Sequence, residues 1–143
     1  CHVCFAPFAG GFYLGGYMNY EELKPWQISQ LVHNQVVCDG EFEVTFENHG
    51  CQWRCKEGAL SGEVFEFTMN EAKAKVKHYT SDINFAWPII QSNGISLVYM
   101  VDGWEAHWLN PDKGMDEDFS TADGDALIAA MICFLKMKES ENG

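Results

Sequence analysis

Apolar positions recur along this chain with two different periods, and the switches between them mark the elements. From Pro25 to Val36 the period is helical, with Ile28, Leu31, Val32, Gln35 and Val36 on one face. Pro25 suits a first helical turn, where its missing N–H has no partner to lose. The period then falls to two: Phe42, Val44 and Phe46 alternate with Glu41, Glu43 and Thr45, and Cys51, Trp53 and Cys55 alternate with Gln52, Arg54 and Lys56. A loop over Glu47-Asn48-His49-Gly50 brings both apolar sets to one face and sets Glu43 opposite Arg54 and Glu41 opposite Lys56. The same reasoning predicts a second hairpin, in which Phe65, Phe67 and Met69 turn through Asn70-Glu71 onto Ala72, Ala74 and Val76, with Glu66 across from Lys75.

A third hairpin is predicted at Asp102-Gly103, a dipeptide that readily adopts positive φ. It would pair Val101 with Trp104, Tyr99 with Ala106 and Leu97 with Trp108. Two more helices are expected. One runs from about Asp82 to Asn93, with Ser81 as N-cap, Gly94 as C-cap and Pro88 kinking it or shifting its start. The other runs from about Asp123 to Lys138, with Asp123 as cap, lysines at its end and a broad apolar face of Leu127, Ile128, Ala130, Met131, Phe134 and Leu135. The fold class this implies is α+β: an antiparallel sheet built from three hairpins and covered by about three helices. A single domain is expected over residues 18–143, after an apolar, Gly-rich extension at residues 1–17 that carries no Asp, Glu, Lys or Arg.

Charge narrows the partners. With 21 acids against 9 Lys and Arg, the formal charge is −12, which repels phosphate backbones and anionic membranes. Direct nucleic-acid binding and membrane binding are not expected, whereas a basic protein partner is favoured. Mimicry of DNA needs carboxylates spaced like phosphates on one face, and the predicted pairing of Glu41 and Glu43 with Lys56 and Arg54 works against it. The six cysteines lack the dense spacing of a disulfide scaffold, so reduced thiols are expected, with Cys133 as a small buried hydrophobe.

No motif carries a strong chemical signal. Cys1-x-x-Cys4 and His49-x-Cys51-x-x-x-Cys55 superficially resemble zinc ligands, but on one strand Cys51 and Cys55 would lie about 13 Å apart, too far for one ion. The acidic stretch Asp112–Asp118 lacks the glycine and glutamate offsets of a calcium loop, and Glu71-Ala72-Lys73 alone is a weak nuclease fragment. Lys73, Lys75 and Lys77 read as a solvated strand face. No catalytic residue, metal site or cofactor is expected. The polar and aromatic groups most apt to converge are Tyr79, Asp82, Trp87, Glu105 and His107, with His78 beside them, although Trp87 is read first as helix-to-sheet packing.

Several segments together resemble a known family. They are Met18-Asn19-Tyr20-Glu21-Glu22-Leu23 with Ile28, Leu31 and Val32, then Tyr79-Thr80-Ser81-Asp82, Ala86-Trp87-Pro88-Ile89-Ile90, Gly94-Ile95-Ser96, and Ala129 through Lys136. This set is similar to the NinX proteins of the nin region of lambdoid phages. Pro25-Trp26-Gln27 departs from the family pattern, and residues 37–77 find little counterpart in it, so that stretch is expected to carry whatever is particular to this protein. The resemblance implies Met18 as the native start and a phage accessory protein in the host cytoplasm, with no reaction to carry over onto these residues. The leading expectation is therefore a non-enzymatic protein that binds a host or phage protein. The rival is a small ligand-binding module or enzyme using Asp82, Glu105 and His107.

Overall fold

Amide side chains, not only apolar ones, line the inner face of the first helix. The computed structural model describes residues 13–14, 17–109, 117–123 and 125–142. In it, Tyr13–Leu14 (β1) pairs with Tyr17–Met18 (β2), and helix α1 spans Pro25–Val36, as its periodicity predicts. The Lys24 N–H donates to Gln27 Oε1 at 2.8 Å and closes the helix start. Ile28 and Val32 are buried as expected, but so are Gln27, Gln30 and Asn34, while Val36 is exposed. The inner face is thus a stripe of amides at helical spacing beside the apolar one.

The described chain divides after Lys77 into two compact units. The first contains α1 and an antiparallel sheet of Phe42–Glu47 (β3), Gly50–Cys55 (β4) and Val64–Thr68 (β5), in that order. The first hairpin has the predicted register, with Glu43 opposite Arg54, Phe46 opposite Cys51 and Val44 opposite Trp53. Glu43 and Arg54 form an ion pair, and the Lys56 N–H donates to Glu41 O at 3.0 Å. The turn is tighter than expected, because Glu47 pairs with Gly50 and leaves only Asn48 and His49 between the strands. Cys51 and Cys55 are buried free thiols on the apolar face, and burial pushes the Cys51 thiol up to about 11.

The second predicted hairpin does not form. Only its first strand exists, and it pairs back onto β4, with Trp53 opposite Phe65 and Cys51 opposite Phe67. Glu66 therefore lies opposite Gln52, whose amide it accepts at 3.1 Å, and not across from Lys75. Residues Met69–Lys75 form helix α2. The cause is local: Thr68 Oγ1 accepts from the Glu71 N–H at 3.2 Å while the Glu71 carboxylate accepts from the Thr68 N–H at 2.9 Å, a reciprocal capping box. Ala72, Lys73, Ala74 and Lys75 are strong helix formers, so the lysines read as a strand face belong to α2, apart from Lys77 beyond it. Asn34 ties α1 to β3, donating to Phe42 O at 2.7 Å and accepting from the Phe42 N–H at 3.2 Å.

In the second unit, helix α3 (Ile83–Asn93) is capped by Asp82 and not by Ser81, because the Asp82 carboxylate accepts from the Asn84 N–H at 2.9 Å. Pro88 lies inside the helix, and Gly94 ends it at φ 67°, the left-handed geometry that glycine tolerates best. The sheet has the order Ser96–Met100 (β6), Gly103–Leu109 (β7), Glu117–Asp123 (β8). The third predicted hairpin forms, but Tyr99 and not Val101 opposes Trp104, and Leu97 opposes Ala106, so the turn residues are Val101 and Asp102. Apolar residues stay on the predicted face because the register moves by an even step.

Strand β8 takes up residues expected to cap the last helix, so α4 begins later, at Ala126–Asn142. Asp125 replaces Asp123 as its cap, accepting from Leu127 N–H at 2.9 Å and Ile128 N–H at 3.2 Å. The expected acidic loop falls partly in β8 (Glu117, Asp118) and partly, at residues 112–116, outside the described residues. Because α4 runs on to Asn142, Lys136 and Lys138 sit within it, and Lys138 pairs with Glu141 at 3.3 Å. From Ala129 to Leu135 every residue of α4 is buried, so this helix is core on all sides, with the sheet against one side and α3 against another.

The protein is thus α+β with antiparallel sheets, but among the described residues the strands are shared between two three-stranded sheets and one pair of two-residue strands, not one sheet of three hairpins. Four α-helices are present among the described residues. Of the extension at residues 1–17 only β1 and Tyr17 are described, and the Cys1 and Cys4 pair lies outside the described residues.

Two substitutions test this account. A Cβ on Gly50 would lie 2.2 Å from the Phe67 carbonyl oxygen, so Gly50→Ala must push β4 from β5 and should destabilise by about 1–3 kcal/mol in urea unfolding. Thr68→Ala removes one half of the capping box and should cost about 1 kcal/mol by the same measurement, with loss of helical ellipticity.

Candidate functional site

The polar groups singled out in the second unit do different jobs. Tyr79 is buried, with its ring edge-on to Phe85 at 6.4 Å between centroids. Asp82 is engaged as the α3 cap. Trp87 is 50% exposed, so it gives less packing than its size allows. Glu105 and His107 do come together: two residues apart on β7, they share a face, and His107 Nε2 lies 2.9 Å from Glu105 Oε1. Opposite them on β6 are Val98 and Ser96.

Strand β6 itself carries a feature not singled out beforehand. It lies at an outer edge of its sheet and, among the described residues, pairs only with β7. Val98, Tyr99 and Met100 are exposed, Tyr99 by 68%, and Val101 at the turn is 96% exposed. No residue from Gln91 to Val101 carries a charge. Edge strands are ordinarily protected by lysine, proline or a bulge, and none interrupts β6. The signal was present in the sequence as an uncharged β-branched and aromatic run, but edge position depends on strand order, which periodicity does not specify.

The first unit holds a pocket of about 200 Å³. Phe42 of β3, Trp53 of β4 and Phe65 and Phe67 of β5 form its aromatic wall, and Gln30 and His33 of α1 lie across from them. The remaining lining is Cys38 after α1, Lys75 of α2 and Val76. Its rings meet edge to face: Phe42 and Trp53 at 5.4 Å, Phe42 and Phe65 at 6.4 Å, His33 and Trp53 at 6.0 Å. Gln30 is 1% exposed and satisfied on both sides, donating to Ala72 O at 2.8 Å and accepting from Trp53 Nε1 at 3.3 Å. Lys75 Nζ stands 5.2 Å from the Phe67 ring centre. His33 Nδ1 is buried without a hydrogen-bond partner among the described residues. Burial, and secondly the Lys77 charge, hold the His33 imidazole below its ordinary range.

Among the described residues, no group of three or more His, Cys, Asp or Glu side chains is placed to hold a metal ion, and no helix is long and apolar enough to cross a membrane. The family profile described as Bacteriophage P22, NinX matches residues 22–138. The chain belongs to the NinX family. The matched span includes residues 37–77, the stretch whose motifs stood apart, so β3 to α2 lie within the NinX match. A solved structure of a phage protein from Bacillus cereus ATCC 14579 is similar to this NinX-family chain at 11% identity, over 82% of this chain and 89% of that one, with a TM-score of 0.48. No curated protein matches.

The His33 environment has a measurable consequence. Its folded-state pKa is lowered, so as pH falls below the ordinary imidazole range the unfolded chain takes up the proton first and stability drops. The wild type should therefore lose more stability between pH 7 and pH 5 than His33→Gln does. Urea midpoints at the two pH values check this, and equal losses would contradict it.

Proposed function

We propose that this NinX-family protein acts by binding a basic partner protein of the phage or its host, in the host cytoplasm, and that the partner adds an extended strand to the outer edge of β6. The observation that carries this reading is the uncharged, exposed run Val98 to Val101 at an edge strand without the usual protection. Strand addition satisfies the outward backbone N–H and C=O groups of β6, and pockets for alternate side chains supply selectivity. The formal charge of −12 favours a cationic partner and disfavours a second copy of the chain. Locally, Asp102 follows the exposed run, so a lysine or arginine flanking an apolar strand at that end would find a carboxylate beside it.

The experiment compares the tagged wild-type protein with Val98→Lys in pull-downs from phage-infected host lysate. A charge on the edge strand leaves the core intact and blocks strand pairing. A basic protein retained by the wild type and lost from the variant is the expected result. Retention of the same protein by both, or of none above background, would refute the β6 assignment.

A further inference from the structure

The aromatic pocket of the first unit is lined without a carboxylate, although Glu41 and Asp39 act on Cys38 at its margin. None of its lining residues is Asp or Glu, although the chain has 21 of them. Its one formal charge is the Lys75 ammonium, set beside the Phe67 ring. A cluster of aromatic rings alone would favour a cation. Here a cation would meet Lys75, while an anion would be attracted by it. His33 is held towards its neutral form, so it adds no second positive charge and the attraction for an anion rests on Lys75.

The polar lining narrows the ligand further. Gln30 has its carbonyl oxygen engaged by Trp53 and its amide nitrogen by Ala72, so it supports the wall and is not free to read a hydrogen-bonding edge. What remains is an apolar lining of rings set edge to face, which suits contact with a further ring. Its size of about 200 Å³ is below the range that takes drug-sized ligands and leaves room for one ring with a short substituent.

We infer that this pocket binds a small aromatic monocarboxylate, with the ring held among Phe42, Trp53, Phe65 and Phe67 and the carboxylate at Lys75. The assignment is independent of the β6 edge, which lies in the other unit, so failure of one leaves the other standing.

The test uses three ligands of the same ring and chain length on the full chain: phenylacetate, 2-phenylethanol and 2-phenylethylamine. Binding is followed by amide and indole NMR shifts, with Trp53 Nε1–H as the reporter inside the pocket. Phenylacetate should bind tightest, the alcohol more weakly and the amine weakest. Lys75→Gln, at an exposed helical position, should weaken phenylacetate about two- to fivefold and leave the alcohol unchanged, as removal of a solvent-exposed charge does. Phe65→Ala, at a partly exposed wall position, should weaken the acid and the alcohol alike. Amine binding as tight as that of the acid, acid binding indifferent to both substitutions, or no shift at Trp53 with about 10 mM phenylacetate would each overturn the inference.

Discussion

The carboxamide of Gln30 is the interaction on which the first unit depends. It is buried on α1, yet it reaches two other elements: its nitrogen donates to the Ala72 carbonyl of α2, and its oxygen accepts from the Trp53 indole of β4. Both ends are satisfied, so a polar group that would otherwise be costly in the interior specifies one arrangement of helix, helix and sheet. Asn34, one turn further along α1, makes the equivalent two-way contact with the backbone of Phe42 at the start of β3. Between these two amides the positions of Phe42 and Trp53 are set, and with them the walls of the pocket.

The second unit is organised differently. Its centre is α4, whose middle is buried on all sides and whose small residues Ala129 and Ala130 let neighbours approach closely. The sheet that lies on it buries Ala106 of β7 completely, while the outer strand β6 keeps an exposed, uncharged run. Burial on one strand and exposure on the next separate the part of the unit that holds the fold from the part left at the surface. In a chain of net charge −12, both the apolar edge of β6 and the acid-free pocket of the first unit are local exceptions to the surface chemistry.

The NinX match reaches into both units, running from Glu22 through most of α4. Tyr79 and Asp82, within the motifs that suggested the family, have structural tasks, in the core and at the α3 cap. The Ala86-Trp87-Pro88-Ile89-Ile90 motif likewise puts Ala86, Ile89 and Ile90 in the core. Recognisable sequence in this chain therefore marks packing, whereas the features that carry the functional readings lie on β6 and in the β3 to α2 region.

By itself the sequence determined the elements whose signals are local and repeated: the bounds of α1, the register of β3 with β4 through Glu43 and Arg54, the stop of α3 at Gly94, and the presence of a hairpin near Asp102-Gly103. It also held the Thr68-x-x-Glu71 capping box, a helix start that alternation of Ala72, Ala74 and Val76 obscured because the same residues satisfy a strand pattern. Tertiary structure alone decided which strands pair beyond a hairpin, that β5 returns to β4, that β6 is an edge, and that Gln30, His33, Lys75 and the four aromatic side chains of β3, β4 and β5 enclose one pocket. The reason is range: periodicity reports which face of an element is apolar, but pairing order and cavity shape arise from contacts between residues tens of positions apart, which no local pattern encodes.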